Sequence, residues 1–421
     1  MTSNWKTTTL GSHCYKIGSG ATPRGGSKVY LEQGETALIR SQNIYNAGFD
    51  YGGLVYIDKV SAEKLNNVIV KKNDVLLNIT GDSVARACIV PNDLVPARVN
   101  QHVAIIRPKA DQYNPFFVWY WLISKRTQEW LLMLASSGAT RNALTKSMIE
   151  NLEVPQPHIG AQNYAAQTLN YLTDQVHLNH QTNQTLESIA LTIFKSWFVD
   201  FDPVKAKMEG CEPEGMDAKT ASLFPDKLVE SELGMIPEGW EVGSFGSVSK
   251  CYDSKRIPLS KLVREKRSGD YPYHGATSIM DYVNDYIFDG KYVLMGEDGS
   301  VVNDDGSPFL QYVWGQIWVN NHAHVLQGTN SVSTEQLYLF LSIQNISPFT
   351  TGAVQLKLNQ RNMNSIPFVK AKKEINRAFD MIIQPIFDLI RSNADESITL
   401  THLRDTLLPK LISGEIQIPT E

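Results

Sequence analysis

Polar side chains are plentiful in this 421-residue chain, yet few stand at a spacing that a reaction needs. His322 and His324 form an HxH pair that could chelate a metal from one face of a strand. No third ligand is evident near them, and the adjacent Asn320 and Asn321 suggest a hydrogen-bonding cluster instead. Glu297 and Asp298 are a carboxylate pair, but neighbouring strand residues point to opposite faces, so a shared general acid/base site is not expected. No GxxxxGK[ST] loop and no GxGxxG following a strand is found, which argues against nucleotide chemistry. Tyr113-Asn114-Pro115-Phe116 approaches the Asn-Pro-Pro-aromatic motif of methyltransferases, but it lacks the second proline and reads as a helix start. The expectation is a protein without catalytic residues, metal or cofactor of its own.

What recurs instead is loop chemistry suited to reading base edges. The first part of the chain offers Arg40-Ser41-Gln42-Asn43, Thr80-Gly81-Asp82-Ser83, Arg86 and Asn100-Gln101-His102, with Arg24 and Arg141 as further cations. The second part offers Lys255-Arg256, Tyr273-His274-Gly275-Ala276-Thr277, Asp298-Gly299-Ser300 and Asn320-Asn321-His322. Arg and Lys pair with guanine, and Asn and Gln with adenine, in the major groove. Any one of these residues is more simply read as a turn or strand-end hydrogen bond. As a set on two related blocks, they favour recognition.

The blocks are related by an internal repeat. Leu144, Ile149, Leu152 and Val154 recur as Leu358, Met363, Ile366 and Phe368, each 214 positions later, and Gly138-Ala139 recurs as Gly352-Ala353. The same offset carries Leu169, Leu172, Val176, Leu186, Ile193 and Trp197 onto Ile383, Ile386, Ile390, Leu400, Leu407 and Leu411. At the starts the offset is 235, from Trp5, Gly11 and Pro23 to Trp240, Gly246 and Pro258, so the second block is 21 residues shorter. The chain reads as a tandem duplication of a globular head followed by a helix.

Positions 165, 169, 172, 176, 179, 183, 186, 190, 193 and 197 alternate steps of four and three, the a/d seam of a coiled coil. Asn179 and Asn183 interrupt the apolar seam, and Asn393 and Ser397 take their places in copy two. A polar pair there costs stability and fixes register and partner choice; the alternative is a helix bent away, with these residues in solvent. Pro385 and Pro409 predict a late start or kink near the first and a loosened end near the second. The heads show short β-branched runs at 38–40, 75–79, 88–90, 103–106, 292–295, 316–319 and 323–326, with helices expected at 116–136 and 334–344. The fold class is α+β: two globular α/β heads in tandem, each followed by a long helix. Residues 203–237 have weak periodicity and read as the linker.

Composition fits this outline. Apolar residues make up 42% and charged residues 20%, as in a globular chain too long for one core. No run approaches the roughly 20 apolar residues of a membrane helix, and the first ten residues lack a secretory apolar stretch. Four scattered cysteines argue against a disulfide framework, so a cytoplasmic location is expected. The net charge of −5 hides a split: residues 1–155 carry 17 Lys+Arg against 12 Asp+Glu, and residues 156–235 carry 5 against 11.

The stretch Leu191-Thr192-Ile193-Phe194-Lys195-Ser196-Trp197-Phe198-Val199-Asp200-Phe201-Asp202-Pro203, and the stretch from Leu403-Arg404-Asp405 through Leu411-Ile412-Ser413-Gly414-Glu415-Ile416, carry a family resemblance. Ile236-Pro237-Glu238-Gly239-Trp240, the two Gly-Ala segments, Tyr273-His274-Gly275-Ala276-Thr277 and Trp318-Val319-Asn320-Asn321-His322 add to it. Across nearly its whole length the chain resembles the DNA-specificity (HsdS-type) subunit of a type I restriction-modification enzyme. The second Gly-Ala segment continues with Val354-Gln355-Leu356 where the first has Thr140-Arg141-Asn142, which leaves Arg141 without a counterpart.

The resemblance implies a first target recognition domain at 1–157, a helix at 158–202, a linker at 203–235, a second recognition domain at 236–370 and a second helix at 371–416. It implies helices that pair as an antiparallel coiled coil through Leu172, Val176, Asn179, Asn183, Leu186 and Trp197 against Ile386, Ile390, Asn393, Leu400, Leu407 and Leu411. It implies a bipartite, asymmetric double-stranded DNA site, two docked methyltransferase subunits, and restriction/translocase subunits in the full complex. S-adenosylmethionine and ATP would then be used by those partners, and no membrane is involved. A helix over 161–198 would be about 57 Å long, long enough to act as a ruler for an untouched spacer.

Overall fold

The computed structural model describes residues 5–137, 142–352 and 355–416. The chain divides into two compact units, residues 1–178 with 396–421, and residues 179–395. Among the described residues no helix is long and apolar enough to cross a membrane.

The first unit carries two four-stranded sheets. One has the order Val55–Ile57, Thr36–Ile39, Ala97–Val99, Ile69–Val70; the other has Cys14–Ser19, Val103–Pro108, Val75–Asn78, Ala87–Ile89. Two of these strands are apolar on both faces because each face has its own core. Val75, Leu77, Ala104 and Ile106 pack with the aromatic helix Pro115–Ile123, whereas Leu76, Val103 and Ile105 pack with Leu38 and Val99. The single helix expected at 116–136 is two, Pro115–Ile123 and Lys125–Ser136. Ser124 breaks it with an extended backbone, and its buried hydroxyl donates to the Trp121 carbonyl and to Thr127 Oγ1.

The second unit gathers the corresponding strands into one six-stranded sheet, in the order Ser249–Cys251, Ala323–Gly328, Phe288–Gly296, Leu310–Val319, Ser268–His274, Ile279–Val283. The difference has a local cause. Leu310–Val319 runs ten residues without a proline, whereas the matching stretch of the first head carries Pro91 and Pro96, which lack the donor a ladder needs. Both heads close the same way. Thr7–Thr9 pairs antiparallel with Glu153–Pro155, and Glu241–Ser244 with Pro367–Lys370, just before each long helix.

Residues 203–235 are ordered despite their weak periodicity. They form the helices Asp202–Met208 and Ala218–Ala221 and the first strand of a hairpin, Leu228–Ser231 with Gly234–Pro237. Val204, Phe224 and Ile236 bury themselves with Trp197, Phe198 and Trp240. Single large side chains anchored in a core leave no repeating pattern to read.

The long helices are Ile159–Phe198, 40 residues, and Lys373–Ser413, 41 residues. They pair antiparallel within each unit. In the second, Asn179 reaches the Asn393 carbonyl at 3.3 Å, Asn183 the Ile390 carbonyl at 2.9 Å, and Phe198 meets Phe379 at 4.9 Å. In the first, Ala165 and Leu169 share a core with Leu408, Leu411 and Ile412. Of the seam residues, Leu172, Trp197, Ile390 and Leu411 are buried, and Val176, Leu186, Ile386, Leu400 and Leu407 are half-buried.

The polar pair lies inside the seam. Asn393 also donates to Asn183 Oδ1 at 2.9 Å. Asn183→Ala removes both the bond to the Ile390 carbonyl and the one from Asn393, and a loss of about 1–3 kcal/mol is expected in denaturant unfolding. Replacing Asn183 and Asn393 together by leucine is expected to raise the midpoint while relaxing register, read as broadened amide resonances.

The late start expected near Pro385 is not found, since the second helix begins at Lys373 and is continuous through Pro385 and Pro409. Each proline is exposed, and the carbonyls it orphans, of Met381 and Asp405, belong to exposed residues that water can serve. Gly414 ends the helix at φ +75°, where a Cβ would stand 2.5 Å from the Trp5 ring.

Candidate functional site

In both heads two strands run parallel and end side by side, and the loops beyond them converge. In the first head Thr36–Ile39 and Ala97–Val99 are the pair, and the Asn100 amide donates to the Ile39 carbonyl at 3.1 Å. Asn100 Oδ1 then accepts from the His102 amide at 3.0 Å, folding residues 100–102 into a tight turn. Ile79 donates to the His102 carbonyl at 2.9 Å, which brings the turn at 80–83 alongside, and Thr80 Oγ1 lies 2.6 Å from His102 Nδ1. Leu144 donates to the Ile79 carbonyl at 2.9 Å and adds a third strand of chain.

The second head repeats this bond for bond. Asn320 donates to the His274 carbonyl at 3.0 Å, and Asn320 Oδ1 accepts from the His322 amide at 2.8 Å. Glu297 donates to the His322 carbonyl and Leu358 to the Glu297 carbonyl, both at 2.9 Å. The side chains on this common frame differ. Asp298 stands where Thr80 does, 4.0 Å from His322 Nδ1 and 3.3 Å from Lys357 Nζ, and Lys357 replaces Ala143 in the equivalent bridge.

The frame sorts the residues proposed from sequence. Arg24, Gln42, Asp82 and Gln101 are exposed in the first head, and Lys255, Thr277, Ser300, Asn321 and His322 in the second. Arg40, Thr80, Ser83, Arg86, His102 and Asp298 are half-buried at the rim. The Arg40 guanidinium lies over Tyr30 at 5.4 Å and that of Arg86 over Tyr45 at 4.8 Å, so ring faces hold both cations. Lys255 sits over Tyr252 at 5.3 Å. Arg141 lies outside the described residues.

Five residues are scaffold in place of a reading surface. Asn43 is fully buried, accepting from the Arg40 amide and donating to the Asp50 and Gly52 carbonyls, which fixes the 40–53 loop. Asn100 and Asn320 spend their side-chain oxygens on the turns. His274 faces Gln311 Oε1 at 3.1 Å, and burial holds its imidazole below the usual histidine range against the opposing pull of that bond. Arg256 is locked 2.5 Å from Glu297 and 3.4 Å from Asp253. Buried polar groups need partners, so these residues are consumed in holding the loops.

The HxH chelate is not formed. Residues 320–322 are a turn and the strand begins at Ala323, so His322 faces solvent while His324 is fully buried. His324 Nδ1 meets Asp253 at 2.5 Å and its Nε2 the Leu358 carbonyl at 2.7 Å. Cys251 brings a third ligand type within 4.8 Å, but burial pushes its thiol up to about 12 and the other two are committed to each other. Burial alone would raise Asp253, yet the His324 hydrogen bond and charge and Arg256 hold it below the carboxylate range. This is a core network special to the second head; the first has Ala104 and Ile79 at the positions of His324 and Glu297. Asn114 caps its helix, accepting from the Phe116 amide at 2.9 Å, as the sequence reading of that motif requires.

Sequence reasoning missed Lys357, although the 214-residue offset places it opposite Ala143 beside Thr80. It also missed Glu335, fully enclosed between Lys291 at 2.6 Å and Arg391 at 3.5 Å.

The family model for the type I restriction modification DNA specificity domain matches residues 2–188 and 237–399, one match per copy. The chain is 28% identical over 410 residues to the type I restriction enzyme HindI specificity subunit of Haemophilus influenzae, covering 82% of this chain and 87% of that one. It is 24% identical over 423 residues to the MjaIX specificity subunit of Methanocaldococcus jannaschii, covering 96% and 91%. The crystal structure of the type I S subunit from M. genitalium shares the fold, with a TM-score of 0.59 at 16% identity over 100% of this chain and 97% of that one. Two recognition heads on paired helices, matched twice by one domain model, place this chain in the family of type I restriction-modification DNA specificity subunits, the non-catalytic members of those systems.

Proposed function

We propose that each head reads one half of a bipartite, asymmetric DNA site, and that the chain docks two methyltransferase subunits, and restriction subunits in the full complex, in the cytoplasm. The observation that carries this reading is the duplicated three-loop frame with different exposed side chains. One docking geometry presented with two chemistries suits two different half-sites. Arg24, Gln42, Gln101 and His102 are the candidates in the first head, and Lys255, Thr277, Ser300, Asn321 and His322 in the second.

The helices supply a surface for partners. Tyr164, Tyr171 and Leu178 recur every seven residues on the outside of the first helix, with Tyr171 at 64% exposure, and Ile382 and Leu389 do so on the second. A heptad stripe left outside a coiled coil suits a further helix. The adenine chemistry and the base flipping that it needs belong to the methyltransferase, as does S-adenosylmethionine.

Sequencing for modified bases in cells expressing the chain with its methyltransferase is expected to show a new two-part methyladenine motif, absent without the chain. A soluble complex that produces no new motif would leave a duplicated protein-protein adaptor as the better account.

A further inference from the structure

Deepening the reading above, on which it rests, we propose that Gln101 and Asn321 each specify an A·T base pair, one in each half-site. The turn that bears them is the part of the two reading faces that the copies keep. Val99-Asn100-Gln101-His102 and Val319-Asn320-Asn321-His322 lie 220 positions apart, while the neighbours diverge from Thr80 to Asp298 and from Ala143 to Lys357. Asn100 and Asn320 are retained for a structural reason, since each closes its turn. The residue after each has no such reason. Among the described residues Asn321 is exposed and makes no hydrogen bond, and the side-chain hydrogen bonds of Gln101 go to other side chains, those of Thr22 and of His102 at 3.2 Å.

An amide thus stands at the exposed tip of both turns without backbone work to do. It offers a donor and an acceptor side by side, which matches the N6 donor and N7 acceptor on the major-groove edge of adenine. Guanine presents two acceptors there and cytosine one donor, so neither pairs with both ends of an amide. Two heads with different surroundings and an amide at the same turn position therefore each read an A·T pair at the place facing the turn.

The test uses the full chain with its methyltransferase and reads both the methylated motif and binding to duplexes substituted one base pair at a time. Asn321→Ala is expected to relax one A·T position in one half-site by roughly ten- to a hundredfold, leaving the other half-site unchanged. Gln101→Ala is expected to do the same in the opposite half-site. An unchanged motif, a loss spread evenly over all sequences, or failure of these exposed variants to assemble would each overturn the assignment, as would a wild-type half-site without an A·T pair. A wild-type complex with no bipartite motif would instead sink the specificity reading itself, so the two failures are distinguishable.

Discussion

Glu335→Ala is expected to destabilise the second unit by about 1–3 kcal/mol, because it removes the shared acceptor of Lys291, the Tyr312 hydroxyl and the Gln384 amide, while Arg391 keeps its pair with Asp388. Glu335 is 1% exposed and ties strands, a short helix and the second long helix together. Lys291 lies 2.6 Å away, the Tyr312 hydroxyl donates at 2.7 Å and the Gln384 amide at 2.8 Å, while Arg391 bonds the same hydroxyl. Hydrogen exchange in the Phe288–Gly296 strand and denaturant unfolding measure the loss. A change under about 1 kcal/mol would show that the cluster only tolerates burial.

The same cluster sets an acid limit. Burial would raise the Glu335 carboxyl, but Lys291, Tyr312 and Gln384 outweigh it and hold the carboxyl below the ordinary range. A carboxyl depressed in the folded state stabilises at pH above its unfolded value of about 4.3, and the contribution fades as pH falls through the folded value. Asp253 behaves alike from an unfolded value of about 3.9. The stability measured by unfolding against pH should therefore fall below about pH 4, and Glu335→Ala should flatten part of that limb. An unchanged slope would remove Glu335 as its source.

Four residues inserted into each long helix, after Leu178 and after Asp395, are expected to change the DNA spacer. Each insertion adds about 6 Å at 1.5 Å per residue, against about 3.4 Å per base pair, so the preferred spacer should lengthen by about two base pairs. Methylation of the original motif should fall to background while the same half-sites at the new spacing become modified. The insertion is near one helical turn, so it restores most of the seam's phase. An unchanged spacer in an assembled complex would mean that the helices do not measure the DNA.

The sequence itself determined the duplication, the two long helices and the seam between them. It did so because a heptad pattern and a repeat offset are properties of neighbours and of spacing, which chain order preserves. It missed the break at Ser124 and the order within 203–235, where one hydroxyl and a few anchored aromatics decide the backbone. It also allowed a late start at Pro385, because a propensity carries no information about which side of a helix faces water.

Only the tertiary structure decided which polar loop residues are scaffold and which are free. Asn43 and Gln42 are neighbours of the same chemistry, yet one is fully buried and the other exposed. Arg256 and Lys255 divide in the same way, because the guanidinium finds Glu297 far along the chain and the ammonium does not. His324 is matched to Asp253 across 71 positions, and Glu335 to Gln384 across 49. Local pattern fixes which element a residue joins, but the cost of burying a polar group is offset only by partners that folding brings from elsewhere in the chain.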